Sequence, residues 1–241
     1  MKIAVVTPYY KESTDLLRQC HESVLAQGIS ADHFFVADGF PNQELMKWGI
    51  KHISLPQAHD DNGNTPRGIG SIIADIEGYD FISYLDADNW YHPNHLVSML
   101  NLFKETKADI CTSFRTFHTL DGVDMSIKEQ PEESLSHVDT SCYFINRKAF
   151  STLDVWLKMP KMLSPLCDRV FLSYLINKKH RLVSTKKHTV AFRTQYKNHY
   201  LQCGLEPPKN SKIDIFTEPM TWLRTPNGIK ETVNKLGFYP F

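Results

Sequence analysis

Two carboxylates separated by one residue close an apolar run: Tyr79 to Pro93 reads Tyr-Asp-Phe-Ile-Ser-Tyr-Leu-Asp-Ala-Asp-Asn-Trp-Tyr-His-Pro. Phe81, Ile82, Tyr84 and Leu85 have the character of a buried strand, and Asp86 and Asp88 follow at its end. In extended chain, side chains two apart point the same way, so both carboxylates address one point beyond the strand's carboxyl end. Open α/β sheets bind their ligands there. Two adjacent negative charges repel, so the arrangement calls for a cation or strong hydrogen-bond donors. The competing reading is an Asx-rich turn into the next helix, because Asp, Asn and Pro are ordinary turn residues. Trp90, just beyond the pair, reads equally as a hydrophobic platform for a ligand or as core.

The elements that must hold this point in place are legible upstream. Lys2 to Thr7 is a β-branched run stopped by Pro8, which predicts a first, central strand. Glu12 to Gln27 carries Leu16, Leu17, Cys20, Val24 and Leu25 at helical spacing and is closed by Gly28. His33–Ala37 and His52–Leu55 read as strands, the former ending in Asp38-Gly39, with a short helix over Gln43–Trp48 between them. After a polar loop at 60–64, Thr65-Pro66 supplies an N-cap and a first-turn proline, and Ile69, Ile72, Ile73 and Ile76 are expected to form the helix's buried face. Pro93 opens another helix with Leu96, Val97, Leu100 and Phe103 inward, and Ala108–Phe114 is a further strand. Alternating strands and helices imply a parallel sheet covered on both faces.

Beyond about residue 115 the rhythm changes. Thr116–His137, with Pro131, Glu132 and Glu133, is polar and irregular, and a loop that long is expected to be a lid. A strand at Cys142–Ile145, a helix at Pro165–Ile176 and short strands at Arg181–Thr185 and Thr189–Arg193 follow. Glu206–Asn210 reads as a linker, and Ile229–Leu236 as a helix. The predicted organisation is an α/β half over 1–115, a second half of the same domain over 116–204, and an extension over 205–241.

Composition narrows the function. The chain has 241 residues, 41% of them hydrophobic and 22% charged, enough for one large core. Its 27 Lys and Arg balance 27 Asp and Glu, so no bulk field draws in nucleic acid, and none is expected as a partner. Lys178-Lys179-His180-Arg181 and Lys186-Lys187-His188 read as solvated faces. Five widely spaced cysteines without a Cys-x-x-Cys pair argue against a disulfide framework or zinc site and for a reducing compartment. The N-terminus lacks a signal-peptide pattern and no apolar stretch is long enough to span a bilayer. A cytoplasmic protein without a transmembrane segment is expected, with peripheral docking at a membrane's inner face left open.

Four segments in order resemble the family 2 glycosyltransferases, which have the GT-A fold. Val6-Thr7-Pro8-Tyr9-Tyr10-Lys11-Glu12 is similar to the family's opening Pro-x-Tyr-Asn segment, with Lys11 in place of Asn. Phe35-Val36-Ala37-Asp38-Gly39 resembles its Asp-Asp-Gly-Ser, with Ala37 and Phe40 as departures. Pro66-Arg67-Gly68-Ile69-Gly70 resembles Ala-Arg-Asn-x-Gly with Gly68 for Asn, and Leu85-Asp86-Ala87-Asp88-Asn89 resembles the Asp-x-Asp motif. The resemblance covers roughly residues 1–200. It implies an inverting enzyme that takes a sugar from a nucleotide-diphosphate donor, UDP-linked, to a hydroxyl of a glycan, a lipid-linked acceptor or a protein. Thr7, Pro8, Tyr10, Glu12, Asp38, Arg67, Asp86 and Ala87 would bind the nucleotide sugar, with Tyr9 or Tyr10 on the base. Mn²⁺ or Mg²⁺ would sit at Asp86 and Asp88, with Asp88 favoured as the direct ligand and Asp86 open instead to the ribose or a metal-bound water.

The residues themselves offer competing roles. Asp38 also suits a turn before Gly39, and Glu12 a helix N-terminus. Arg67 sits unfavourably in a helix's first turn unless a phosphate or a salt bridge compensates it. Ser164-Pro165-Leu166-Cys167-Asp168-Arg169 resembles the family's Glu-Asp segment with Cys167 in the Glu position. Asp168 is then the catalytic base, or else a first-turn dipole partner. His188 and His199 both fall where some relatives carry a further metal ligand, and Asp139-Thr140-Ser141 could face the sugar or acceptor. Two alternatives stand beside this reading. A nucleotidyltransferase would want a Gly-rich basic loop after the first strand, where this chain has Thr-Pro-Tyr-Tyr. A non-catalytic sugar-nucleotide or glycan-binding relative is the other, given the changes at Ala37, Gly68 and Cys167.

Overall fold

A computed structural model describes residues 1–129 and 137–241. In chain order the elements are β1 (Ile3–Tyr9), α1 (Thr14–Leu25), β2 (Asp32–Ala37), β3 (Lys51–Ser54), α2 (Asn64–Ile76), β4 (Phe81–Tyr84), β5 (Trp90–Tyr91), α3 (His95–Thr106), β6 (Ile110–His118), β7 (Asp124–Lys128), β8 (Tyr143–Asn146), α4 (Val155–Lys158), α5 (Cys167–Asn177), β9 (Leu182–Arg193), α6 (Lys197–Gln202), α7 (Thr217–Leu223) and α8 (Pro226–Leu236). Short 3₁₀ turns at Gln43–Lys47, Thr140–Cys142, Arg147–Thr152 and Lys161–Leu166 join them.

One sheet runs through the described residues in the order β3-β2-β1-β4-β8-β6-β9-β5, with β7 beside β6. Strands β1 to β4 are mutually parallel, as the alternating first half predicts. Strand β8 then inserts antiparallel between β4 and β6, so the α/β sheet as a whole is mixed. All seven residues of β1 are buried, as a central parallel strand covered on both faces requires. Pro8 does not end that strand. It lies beyond the last β1–β4 pair, Val6 opposite Tyr84, where its missing N–H costs no ladder bond on that side.

Helix α2 buries a different face from the one its isoleucines suggest. Arg67, Gly70, Ser71 and Ala74 are inside, while Ile72 and Ile76 are 40% and 80% exposed. The helix lies too close to the sheet for branched side chains: a Cβ on Gly70 would come within 2.6 Å of Val6 Cγ1 and 3.0 Å of Val36 Cγ2. Thr65 lies inside the helix rather than capping it. Asp61 Oδ2 accepts from its N–H and hydroxyl at 2.9 and 2.6 Å.

The second half departs from its predicted outline in three places. Strand β6 continues to His118 and β7 pairs with it, so the start of the expected irregular loop is a hairpin. The rest of that loop, including Pro131, Glu132 and Glu133, lies outside the described residues. The two short strands predicted after Arg181 are one strand, β9, whose pairing with β6 is irregular around Phe114, and Lys186 takes φ 54° nearby. Residues 205–241, expected as an extension, pack into the body: Leu223 and Leu236 join the main core. No described helix is long and apolar enough to cross a membrane.

Candidate active site

The carboxyl ends of β1, β2 and β4 open onto a cavity of about 670 Å³, closed on its far side by the start of α5 and the end of β9. Pro8, Tyr10, Glu12, Asp38, Arg67, Asp86, Ala87, Asp88 and Asp168 all line it. Thr7 does not. It is fully buried within β1, where a parallel strand turns alternate side chains into the core, and its Oγ1 lies 2.8 Å from His33 Nε2.

Each acid is held by a different device. Asp86 Oδ1 accepts from Arg67 Nη2 at 2.8 Å, and the guanidinium, only 2% exposed, lies 4.8 Å over the Trp156 ring. The backbone N–H of Asp86 donates to Ser141 Oγ at 3.1 Å. Arg193 fixes the turn that follows: it donates to the Asp88 carbonyl and to Gln19, and its N–H meets Asn89 Oδ1 at 2.9 Å. Burial, with Asp86 and Glu12 close by, pushes the Asp88 carboxyl up to about 7. The charge of Arg193 works against this rise without cancelling it. Glu12 precedes α1 and its N-cap Ser13, and it accepts from the N–H of Tyr10 at 2.6 Å; Asp15 is the acid in the helix's first turn.

Asp38 is shaped by a glycine. Gly39 has φ 82°, and a Cβ there would stand 2.4 Å from the backbone N of Ala58. The segment carrying His59 can therefore come close enough for its N–H to reach both Asp38 oxygens, at 3.0 and 3.2 Å, and for Nδ1 to reach Oδ1 at 2.6 Å. The two tyrosines separate. Tyr9 is in the core with its hydroxyl 2.6 Å from His52 Nε2, whereas Tyr10 is 40% exposed and edge-on to Phe40 at 4.8 Å. Both line the cavity, and of the two it is Tyr10 that has an exposed aromatic face.

On the opposite wall, Asp168 begins α5 and its Oδ2 lies 2.6 Å from His137 Nε2, while Oδ1 accepts from the N–H of Arg169 at 2.7 Å. The imidazole holds the Asp168 carboxyl below the usual carboxylate range, against the effect of burial. Cys167 also lines the cavity, and burial raises its thiol to about 12, so it brings no charge. His59, His137, Arg115 and Glu129 were not found from sequence. Isolated histidines carry no spacing signal, and it is strand pairing that assembles them.

The departures in the sequence have local causes. Gly68 is required by packing, since a Cβ would meet Leu157 at 2.8 Å and Trp156 Cβ at 3.2 Å. Ala37 is fully buried within β2. Trp90 lies outside the cavity, with Arg193 at 4.6 Å over its ring. Of the two histidines considered as ligands, His199 lines the cavity with Nδ1 2.7 Å from Thr194 Oγ1, whereas His188 bonds to the Glu129 carbonyl elsewhere.

Among the described residues no three His, Cys, Asp or Glu side chains form a group able to hold a metal ion. A Mg²⁺ or Mn²⁺ shared with a diphosphate needs only one or two carboxylates, the remaining oxygens being water and phosphate. The donor set of Asp88, with Asp86 already neutralised by Arg67, fits such a cation and does not make a closed centre.

Residues 4–160, which supply β1 to β8 and with them Asp86 and Asp88, match the family described as glycosyl transferase family 2. The chain belongs to that family. It is similar to the succinoglycan biosynthesis protein ExoW of Rhizobium meliloti (strain 1021), with 28% identity over 120 residues, which cover 45% of this chain and 36% of that protein. The match thus spans about a third of that curated relative. Among solved structures, S. aureus TarS 1-349 in complex with UDP has a TM-score of 0.63 at 15% identity, covering 84% of this chain and 63% of that one. The complex of the same fragment with UDP-GlcNAc has a TM-score of 0.62 at 14% identity, covering 98% and 80%. At these identities the likeness establishes the fold of this family 2 chain, GT-A.

Proposed function

We propose that this family 2 chain transfers a sugar from a UDP-linked donor to a hydroxyl acceptor, with inversion and with help from a divalent cation. The observation that carries the reading is the convergence of Asp38, Asp86, Asp88 and Asp168 on one cavity at the carboxyl ends of parallel strands. Asp38, held by His59 in the same cavity as Tyr10, would take a nucleobase edge. A buried acceptor left unpaired by the wrong base is costly, which makes such a group selective. The TarS complexes contain UDP and UDP-GlcNAc, which favours the uridine choice.

Asp88, assisted by Asp86, would hold Mg²⁺ or Mn²⁺, which when bound offsets the charge of the departing diphosphate. Arg67 orients Asp86 beside it. Asp168 takes the proton of the acceptor hydroxyl as that oxygen attacks the anomeric carbon and the bond to the diphosphate breaks. One in-line displacement inverts the centre. The acceptor is a glycan, lipid-linked or protein hydroxyl entering from the Asp168 side.

Incubation of the protein with UDP-GlcNAc and a panel of other nucleotide sugars, with Mn²⁺ and mixed acceptors, tests this. Release of UDP with an α-linked donor yielding β-linked product, abolished in Asp88→Ala and reduced about 10²–10⁴-fold in Asp168→Asn, is the expected result. Binding of UDP without turnover across the panel would point to a sugar-nucleotide-binding relative instead.

A further inference from the structure

Behind Asp168 lies a ladder of buried, alternating charges that glycosyl transfer as proposed does not by itself require. Asp139 Oδ2 is 2.6 Å from Arg115 Nη1, and Arg115 Nε is 3.4 Å from Glu129 Oε1. Glu129 Oε1 is 3.5 Å from His137 Nδ1, and His137 Nε2 is 2.6 Å from Asp168 Oδ2. Strand β6 supplies Arg115, the end of β7 leads to Glu129, and α5 supplies Asp168. At its other end Asp139 accepts from the N–H of Ser141, whose hydroxyl meets the Asp86 N–H, so the ladder spans the cavity's floor.

We infer that His137 is a positioning residue for Asp168: an imidazolium clamped by a hydrogen bond to Asp168 on one side and by the charge of Glu129, at ion-pair distance, on the other, which keeps the Asp168 carboxylate ionised and aims its free lone pairs into the cavity. The inference rests on the reading of Asp168 as the base. Both ring nitrogens face carboxylate oxygens, and only the imidazolium has two N–H donors to offer them. Arg115 Nη2, 3.4 Å from Nδ1, opposes that protonation, but it is itself neutralised by Asp139 and Glu129. Cys142, Cys167, Tyr143 and Tyr196, which also face the ladder's charges, are held neutral by burial. The two carboxylates outweigh the guanidinium and the burial, and the His137 value rises to about 9.

The clamp has a consequence for the proton. His137 already carries one on each nitrogen, so the proton taken from the acceptor stays on Asp168 and leaves through solvent, to which that side chain is 24% exposed. His137 therefore does not relay. It sets the pH below which Asp168 is lost as a base. One of the two Asp168 oxygens is fixed by His137 and the other by the Arg169 N–H, which leaves about two acceptor positions for substrate.

Nitrogen-15 NMR of wild-type protein labelled at histidine should show both His137 nitrogens protonated at pH 7, with a midpoint above 8. Asp168→Asn should lower that midpoint by about two units or more. In His137→Gln, which keeps a donor but no charge, the acid limb of UDP release from UDP-GlcNAc should move up by about one unit or more. One unit below the limb that is about a tenfold loss relative to the variant's own plateau. A wild-type midpoint at or below 7, or an acid limb unmoved in His137→Gln, overturns the clamp. The titrations of wild type and Asp168→Asn need no substrate and decide it alone. UDP release that survives Asp168→Asn refutes the base, a separate result.

Discussion

Replacing Gly39 by alanine tests whether the Asp38 site depends on close backbone approach. Two costs arise. An L-residue at φ 82° is strained by about 1 kcal/mol. The new Cβ would also lie 2.4 Å from Ala58 N and 2.7 Å from Gln57 C, both backbone atoms, so no side-chain rotation relieves the overlap. The segment must retreat by about 1 Å to reach an ordinary contact distance. It takes with it the His59 N–H and Nδ1 bonds to a carboxylate that is only 5% exposed. Hydrogen bonds to a buried charged group are worth about 1.5–3 kcal/mol, so the expected loss is about 3–4 kcal/mol in total.

Gly28 provides the control. It has φ 69° and nothing within 4 Å of a built Cβ, so Gly28→Ala carries only the backbone strain, about 1 kcal/mol. The reduced freedom of the unfolded chain is common to both variants and cancels in the comparison. Urea denaturation at unchanged m reads the difference, about 2–3 kcal/mol, and calorimetric titration with UDP reads the loss of the Asp38 site. Equal losses in the two variants would refute the close-approach reasoning. So would undiminished UDP binding by Gly39→Ala that had lost the stability.

Asp88 holds its proton to about pH 7 in the fold against an ordinary 3.8, so wild-type stability should fall as pH rises between those values. The full shift corresponds to about 4 kcal/mol and solvent reach halves it. Asp88→Asn should therefore match wild type at pH 4 and exceed it by about 2 kcal/mol at pH 8 in urea titrations. For His137 the folded value of about 9 lies above the ordinary 6.5, so its stabilisation is fully present below pH 6.5 and vanishes as pH rises through 9. Asp168, held low, contributes above pH 3.8 and loses its contribution as pH falls through its folded value, so wild type but not His137→Gln should lose stability from pH 7 to 9.5. Arg67→Met strips Asp86 of its cation and should cost about 2 kcal/mol, less than the 3–5 of a fully buried pair because Asp86 is 31% exposed. Adding Asp86→Asn should restore at least half of that in a denaturation double-mutant cycle.

Local chemistry in the sequence was enough for much of this. The β-branched run before Pro8, the strand ending in Asp86 and Asp88, and the strand-helix alternation of the first half each state a local preference that packing then satisfied. Nine of the ten site residues named from sequence line one cavity, those that follow β1, β2 and β4 because parallel strands end on the same side of a sheet. Thr7 does not, because β1 is covered on both faces and its side chain is buried against His33. The isoleucines of α2 misled because hydrophobic periodicity reports which face is greasier, not how near the sheet lies. A glycine at 70 against Val6 decided that.

What no stretch of sequence contained was the pairing of distant polar groups. His59 meets Asp38 across 21 residues and His137 meets Asp168 across 31. Arg193 grips the Asp88 carbonyl from 105 residues away. Such contacts leave no periodic trace, because each partner is a single side chain whose role depends on what the fold sets within about 3 Å of it. The residue types and the strand ends that carry them are properties of the chain. Their charge states, orientations and partners belong to the folded sheet, since burial and neighbouring charge exist only once the strands have paired.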